Sequence, residues 1–181
     1  MKEIRLHGKG GQGVVKASQI IVKATVLCGG YGQFIPFFGV ERKGSPVFGY
    51  LRISDNPIRR KTQIYEPDML VIMDDSLVSM PQTYAGLKPD GIVLINSTKA
   101  IEELEIPDCA GLVVEVDASG ISEELFGRNL PNTAILGAFA RIVGTVNKES
   151  LFKEITSAFG AKNTEAAERA YKEVKVLRGE I

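Results

Sequence analysis

The chain has 181 residues, 44% of them apolar and 24% charged, with 22 cations balanced by 22 anions. That size buries a core without disulfides or metal and predicts one domain spanning residues 1–181. Zero net charge argues against a nucleic-acid partner or an anionic membrane, and no apolar run approaches the ~20 residues of a membrane span.

The opening segment Ile4-Arg5-Leu6-His7 reads as a strand that enters Gly8-Lys9-Gly10-Gly11-Gln12-Gly13 without a signal-peptide pattern, so the cytoplasm is the expected compartment. Four glycines in six residues between a strand and a helix start describe a tight turn. Gly8 is expected to supply positive φ, Gly10 or Gly11 to leave room for a ligand or neighbouring chain, and Gly13 to let helix and strand approach closely. The following helix would aim its free N–H groups and positive dipole end at this turn, which suits an anion. Gly8, Gly10 and Gly13 also match the dinucleotide fingerprint. That fingerprint expects an acidic residue at the tip of the second strand, and Tyr31 to Phe38 holds none before Glu41. A nicotinamide or flavin site is therefore disfavoured. A Walker-type loop is excluded, because no Gly-Lys-Ser/Thr closes the run.

Val14, Ala17, Ile21, Ala24 and Cys28 recur at helical spacing, and Gly29-Gly30 stop the helix. Cys28 then reads as a packing residue. Pro46–Ser54 and Ile58–Tyr65 are strand-like and flank the turn Asp55-Asn56-Pro57, predicting an antiparallel edge hairpin. Arg59-Arg60-Lys61 would be its solvated edge. Met69–Met73, Ile92–Ile95 and Leu112–Val116 are nearly continuous apolar runs, as in parallel strands buried on both faces. Their polar ends, Asp74-Asp75, Asn96-Ser97-Thr98 and Asp117, fall on the functional edge of an open sheet or serve as helix caps. Asp117 or Ser119 would cap Gly120–Phe126. A small-residue helix starts near Asn132, and its thin face (Ala134, Gly137, Ala138, Arg141, Gly144) should be covered by the sheet or by another chain. Helices over Lys148–Phe159 and Asn163–Arg178 complete an α/β fold with a mostly parallel sheet.

No catalytic constellation accompanies these elements. The two cysteines, Cys28 and Cys109, are too few for a zinc or iron–sulfur site. His7, the single histidine, is placed either to make a structural hydrogen bond, the commoner role, or to touch a ligand. Asp74-Asp75 could act as an acid/base pair, although capping is the commoner role for strand-end carboxylates. The segment Phe38-Gly39-Val40-Glu41-Arg42-Lys43-Gly44-Ser45-Pro46 suits anion contact or a subunit interface.

The glycine turn and this second loop occur in that order. They are followed by Ile53-Ser54 with Ile58-Arg59, Glu66-Pro67-Asp68, Asn96-Ser97 and Pro131-Asn132-Thr133-Ala134-x-Leu136-Gly137-Ala138. Through these motifs nearly the whole chain resembles the gamma subunit, or domain III module, of the 2-oxoacid:ferredoxin oxidoreductases. The resemblance implies a Rossmann-like three-layer domain within an assembly that oxidatively decarboxylates a 2-oxoacid onto coenzyme A and passes electrons to ferredoxin. It implies alpha, beta and delta partners, or fused equivalents, that hold thiamine diphosphate and the iron–sulfur clusters. The isolated chain would then be inactive, with no cofactor of its own, and a homodimer contact is left open. Carried over by position, Gly8, Gly10, Gly11, Gln12 and Gly13 form the first cofactor-facing motif, Glu41, Arg42 and Gly44 the second, and Asn132 the third. The Glu-Arg-x-Gly-x-Pro form of the second loop looks like that of pyruvate-type members, although Phe38 stands where tyrosine is frequent. A free-standing nicotinamide or flavin oxidoreductase, or a purely structural scaffold, are the alternatives.

Overall fold

Short apolar runs bounded by polar residues form the centre of a seven-stranded sheet in the computed structural model, which describes residues 1–38 and 46–181. In chain order the elements are β1 (Lys2–Lys9), α1 (Val14–Leu27), β2 (Tyr31–Phe38), β3 (Pro46–Ser54), β4 (Met69–Ile72), β5 (Gly91–Asn96), β6 (Ala110–Val116), α2 (Ala118–Phe126), α3 (Asn132–Ile142), α4 (Lys148–Phe159), α5 (Ala161–Glu173) and β7 (Lys175–Arg178). The strands lie in the order β2-β3-β1-β4-β5-β6-β7. β1, β4, β5 and β6 run parallel, while β2, β3 and β7 are antiparallel to their neighbours. None of the helices is long and apolar enough to cross a membrane, among the described residues.

The side-chain period of two sends alternate residues of each strand to opposite faces. Ile4, Leu6, Val71, Leu94 and Val114 face one way and join the buried sides of all five α-helices in a single core. Leu70, Ile72, Val93, Ile95 and Val113 face the other way. There the covering layer is thin, made of loops and the 3-10 turns Asp75–Leu77, Pro81–Tyr84 and Ile101–Glu103. Burial of β4 and β5 on both faces explains why their sequences read as unbroken apolar runs.

Three expectations are corrected. Ile58–Tyr65 is not a strand; the edge hairpin is β2 with β3, paired over eight positions from Tyr31↔Ser54 to Phe38↔Val47. Pro57 and three consecutive cations disfavour pairing in the later segment, and Ile64 alone anchors it in the interior. The last helix ends at Glu173, and Lys175–Arg178 pairs with β6 instead. β6 would otherwise present an unpaired edge, and Leu177 gains a seat on the second core. Cys28 is exposed rather than packed, because it caps the C-terminus of α1 beyond the last covered turn; its Sγ lies 3.2 Å from Ser150 Oγ.

The thin face of α3 is covered around Gly137, by α5 rather than by the sheet, while Gly144, expected on the same face, lies past the end of the helix and is exposed. A Cβ at Gly137 would stand 1.8 Å from the carbonyl oxygen of Ala167. Ala166, Ala167 and Ala170 keep the facing side equally small. Arg141, further along the same stripe, is exposed and lies over the ring of Tyr171. Gly137→Ala is therefore expected to force the two helices apart and cost about 2–3 kcal/mol, read as a lowered urea midpoint at unchanged m-value.

Candidate functional site

The chain passes from β1 through α1 to β2 and β3 on one side of β1, then to β4 on the other, so the carboxyl ends of β1 and β4 form the switch point where open α/β sheets bind ligands. The glycine turn lies there. Positive φ falls at Gly11 (97°) and Gly13 (82°), not at Gly8 as expected. Gly8 is required for space instead, since a Cβ there would stand 2.6 Å from Val14 Cγ2. Gly11 has nothing within 4 Å of where its Cβ would be, so this stretch of main chain is open to a guest. Gly10 lies beside it in the same turn, half-buried.

Gln12 staples the turn rather than reaching outward. Its Oε1 accepts from Lys9 N (2.8 Å) and its Nε2 donates to Asp74 Oδ2 (2.7 Å). Lys9 Nζ adds an ion pair to Asp74 Oδ1 at 3.0 Å. Partial burial works against the Asp74 carboxylate, but hydrogen bonds from Ser76, Lys9 and Gln12 outweigh it. The group therefore ionises below its ordinary range. Asp74 also accepts from Ser76 N at 3.1 Å, the capping role expected of a strand-end carboxylate, and Asp75 is paired separately with Lys99.

Asn132, expected at the site, is brought to it. Its side-chain amide packs on Gly13, where a Cβ would meet Nδ2 at 2.8 Å. Two helix N-termini thus stand side by side, those of α1 and α3. Neither has a side-chain cap or an acidic residue in its first turn. Free amides and uncapped dipole ends in one corner can receive an anion, with the nearby Asp74 carboxylate paired to Lys9. Glu41, Arg42 and Gly44, expected to form the second cofactor-facing motif, lie outside the described residues.

A cleft of about 240 Å³ extends from this corner across the tips of β4, β5 and β6. Asn96 organises its floor, donating from Nδ2 to Met73 O and to Ser119 Oγ, both at 2.8 Å, and accepting from Ser119 N at 3.0 Å. Asp117 caps α2 through Gly120 N (2.7 Å), as expected. The links from Gln12 and Lys9 to Asp74, and from Asn96 to Ser119, carry no signal in the sequence beyond the polar character of the strand ends.

His7 does not make the structural hydrogen bond expected of it. It is 3% exposed, stands edge-on to Phe48 at 5.0 Å, and neither ring nitrogen has a partner among the described residues. Its side chain follows Arg5 onto the face opposite α1, because Leu6 between them occupies the helical core. Burial first, and the Arg5 charge second, push its pKa down to about 3, so the ring is neutral. The strand beside β1 is the antiparallel β3, which leaves no parallel second strand to carry a ribose-binding carboxylate.

A family model described as "Pyruvate ferredoxin/flavodoxin oxidoreductase" matches residues 3–173. The chain is 45% identical to pyruvate synthase subunit PorC of Methanothermobacter thermautotrophicus, over 98% of each chain. It is 47% identical to the pyruvate/ketoisovalerate oxidoreductases common subunit gamma of Thermococcus kodakarensis, over 97% of this chain and 98% of that one. The crystal structure of pyruvate oxidoreductase subunit PORC from Thermotoga maritima shares 36% identity and covers 97% of both chains, with a TM-score of 0.86.

Two pH dependences follow. The stabilisation that Asp74 provides is present above its ordinary pKa near 3.8 and is lost as pH falls through its lower folded value. Asp74→Asn should thus cost about 1–3 kcal/mol in urea melts at pH 7 and much less near pH 2.5. His7 titrates near 6.5 when unfolded and near 3 when folded, so acid destabilises the fold from pH 6.5 downwards. The slope is at most about 1.4 kcal/mol per pH unit, and it should flatten in His7→Phe between pH 6.5 and 4.

Proposed function

The chain belongs to the pyruvate ferredoxin/flavodoxin oxidoreductase family as a subunit of the gamma type, and from that premise we propose that it serves a thiamine diphosphate-dependent 2-oxoacid:ferredoxin oxidoreductase that acts on pyruvate in the cytoplasm. The observation that carries this reading is the likeness to PorC and gamma chains along its entire length. The Glu41-Arg42-x-Gly44-x-Pro46 form of the second loop supports pyruvate over 2-oxoglutarate. In this reading alpha, beta and delta subunits, or their fused equivalents, complete the enzyme. The chain acts as a single module among them.

The division of labour follows from the residues. Cys28 and Cys109 are both exposed, and two thiolates cannot hold a cluster that needs four, so the electron-carrying centres belong to partner subunits. Coenzyme A is the ligand that fits the corner best. It carries phosphates, and the corner offers uncapped amides of α1 and α3 beside main chain left open at Gly11. Gly8, Gly10, Gly11, Gln12, Gly13 and Asn132 would form one wall of its site, with Glu41, Arg42 and Gly44 contributing from the second loop. Coenzyme A supplies the thiol that accepts the acyl group. This chain holds and orients the phosphate-bearing portion, with Gln12 and Asp74 keeping the turn in shape.

Reconstitution tests the reading. The isolated chain should turn over no pyruvate and should restore coenzyme A-dependent ferredoxin reduction to a complex lacking it; activity of the chain alone would refute the assignment. Gly11→Val should raise the KM for coenzyme A in the reconstituted complex by about tenfold or more, since positive φ and an added side chain both disturb the turn. The loss should exceed what the melting temperature of the isolated variant explains. An unchanged KM would assign the turn to protein contact instead.

A further inference from the structure

Three cross-strand rungs line the face of β1, β3 and β2 that carries no α-helix. Glu3, Arg52 and Gln33 lie opposite one another, as do Arg5, Tyr50 and Ile35, and then His7, Phe48 and Phe37. The first rung is satisfied internally. Arg52, 1% exposed, donates from Nε to Glu3 Oε1 (2.8 Å), from Nη1 to Gln33 Oε1 (3.2 Å) and from Nη2 to the Gln63 carbonyl (3.3 Å).

The second rung is not satisfied. Arg5 is 9% exposed, and its Nη2 donates to the Thr83 carbonyl at 2.9 Å. Its Nε is sealed from solvent without an acceptor among the described residues. Glu3, the acid next to it on this face, is already paired with Arg52, and Arg5 forms no ion pair among the described residues. A buried cation without a counter-charge destabilises a fold, and an apolar replacement of similar volume is often neutral or stabilising. Around Tyr50, the cross-strand partner of Arg5, the surface is aromatic: Phe37, 42% exposed, stands 6.4 Å from the Tyr50 ring, and Tyr65, near enough for its charge to act on Tyr50, is 72% exposed.

We propose that this face docks a partner subunit of the oxidoreductase, one that packs an apolar side chain against Phe37 and Tyr65 and brings a carboxylate to Arg5. The inference rests on the subunit reading above. Charge selects the occupant. A purely apolar partner would leave Arg5 uncompensated, and a second copy docking through the same patch would bring another Arg5 with a Glu3 already paired to Arg52.

Arg5→Met separates docking from folding, because the two roles move the readouts in opposite directions. The isolated variant should melt at or above the wild-type temperature. Its affinity for a complex lacking this chain should fall on the order of 100-fold, as when one partner of a buried charge pair is truncated. Arg5→Lys should recover part of the affinity. Phe37→Ser, at a surface position, should weaken assembly with little change in melting temperature. Wild-type affinity in both Arg5→Met and Phe37→Ser would overturn the proposal. So would a fall in melting temperature for Arg5→Met that accounts for its weaker assembly, or a self-association of the wild-type chain that Phe37→Ser abolishes. Failure of the wild-type chain to enter the complex would instead count against the subunit reading.

Discussion

The absence of side chains at Gly8 and Gly13 is what lets the end of β1 and the starts of α1 and α3 share one corner of the sheet. A Cβ at the first would strike Val14, and one at the second would strike Asn132. Once the corner closes, its polarity is settled by omission. Neither helix start carries an acid in its first turn or a side-chain cap, and the Asp74 carboxylate beside the turn is paired with Lys9. Gln12 and the Lys9–Asp74 pair then fix the turn from behind. Donors held in advance of binding lose little freedom when a charged guest arrives, which is the main energetic advantage of a rigid loop.

Local pattern made much of this fold legible. The helical spacing of Val14, Ala17, Ile21 and Ala24 and the two-sided burial of Met69–Ile72 are written in consecutive residues, and both elements were readable from the chain. The choice of strand partner is not local. Ile58–Tyr65 carries a strand-like pattern as Tyr31–Phe38 does, and it is the pairing of the latter with β3 that decides between them. Lys175–Arg178 continues a helical pattern until the vacant edge of β6 captures it. The site divides the same way. Glycines demanded by a turn announce themselves, and Asn132 was found through its motif. The links of Lys9 and Gln12 to Asp74 span more than sixty residues of sequence and exist only in three dimensions. His7 misled for a related reason: standing next to the turn in sequence, it is sent by strand alternation to the opposite face.

The two faces of the sheet are built to different standards. One is sealed by five helices with side chains small enough for α3 and α5 to touch through Gly137. The other mixes aromatic rings with guanidinium groups, and Arg52 shows what it takes to bury such a group at low cost: three acceptors, one of them charged. Arg5, one rung away, has a single carbonyl. That contrast within one pair of strands gives the face its direction, since apolar surface alone would not say what kind of molecule belongs on it.

The position of β3 has a wider consequence. In dinucleotide-binding folds the phosphate-holding turn and the sugar-reading carboxylate come from different strands, so the two halves of recognition can be inherited separately. This chain has a glycine bend of that kind without such a carboxylate, because on the side toward β2 the antiparallel β3 fills the place beside β1. A glycine signature therefore reports the shape of a bend, not the identity of its guest. Replacing the neighbouring strand, with the bend left untouched, is enough to change which small molecules such a scaffold can keep.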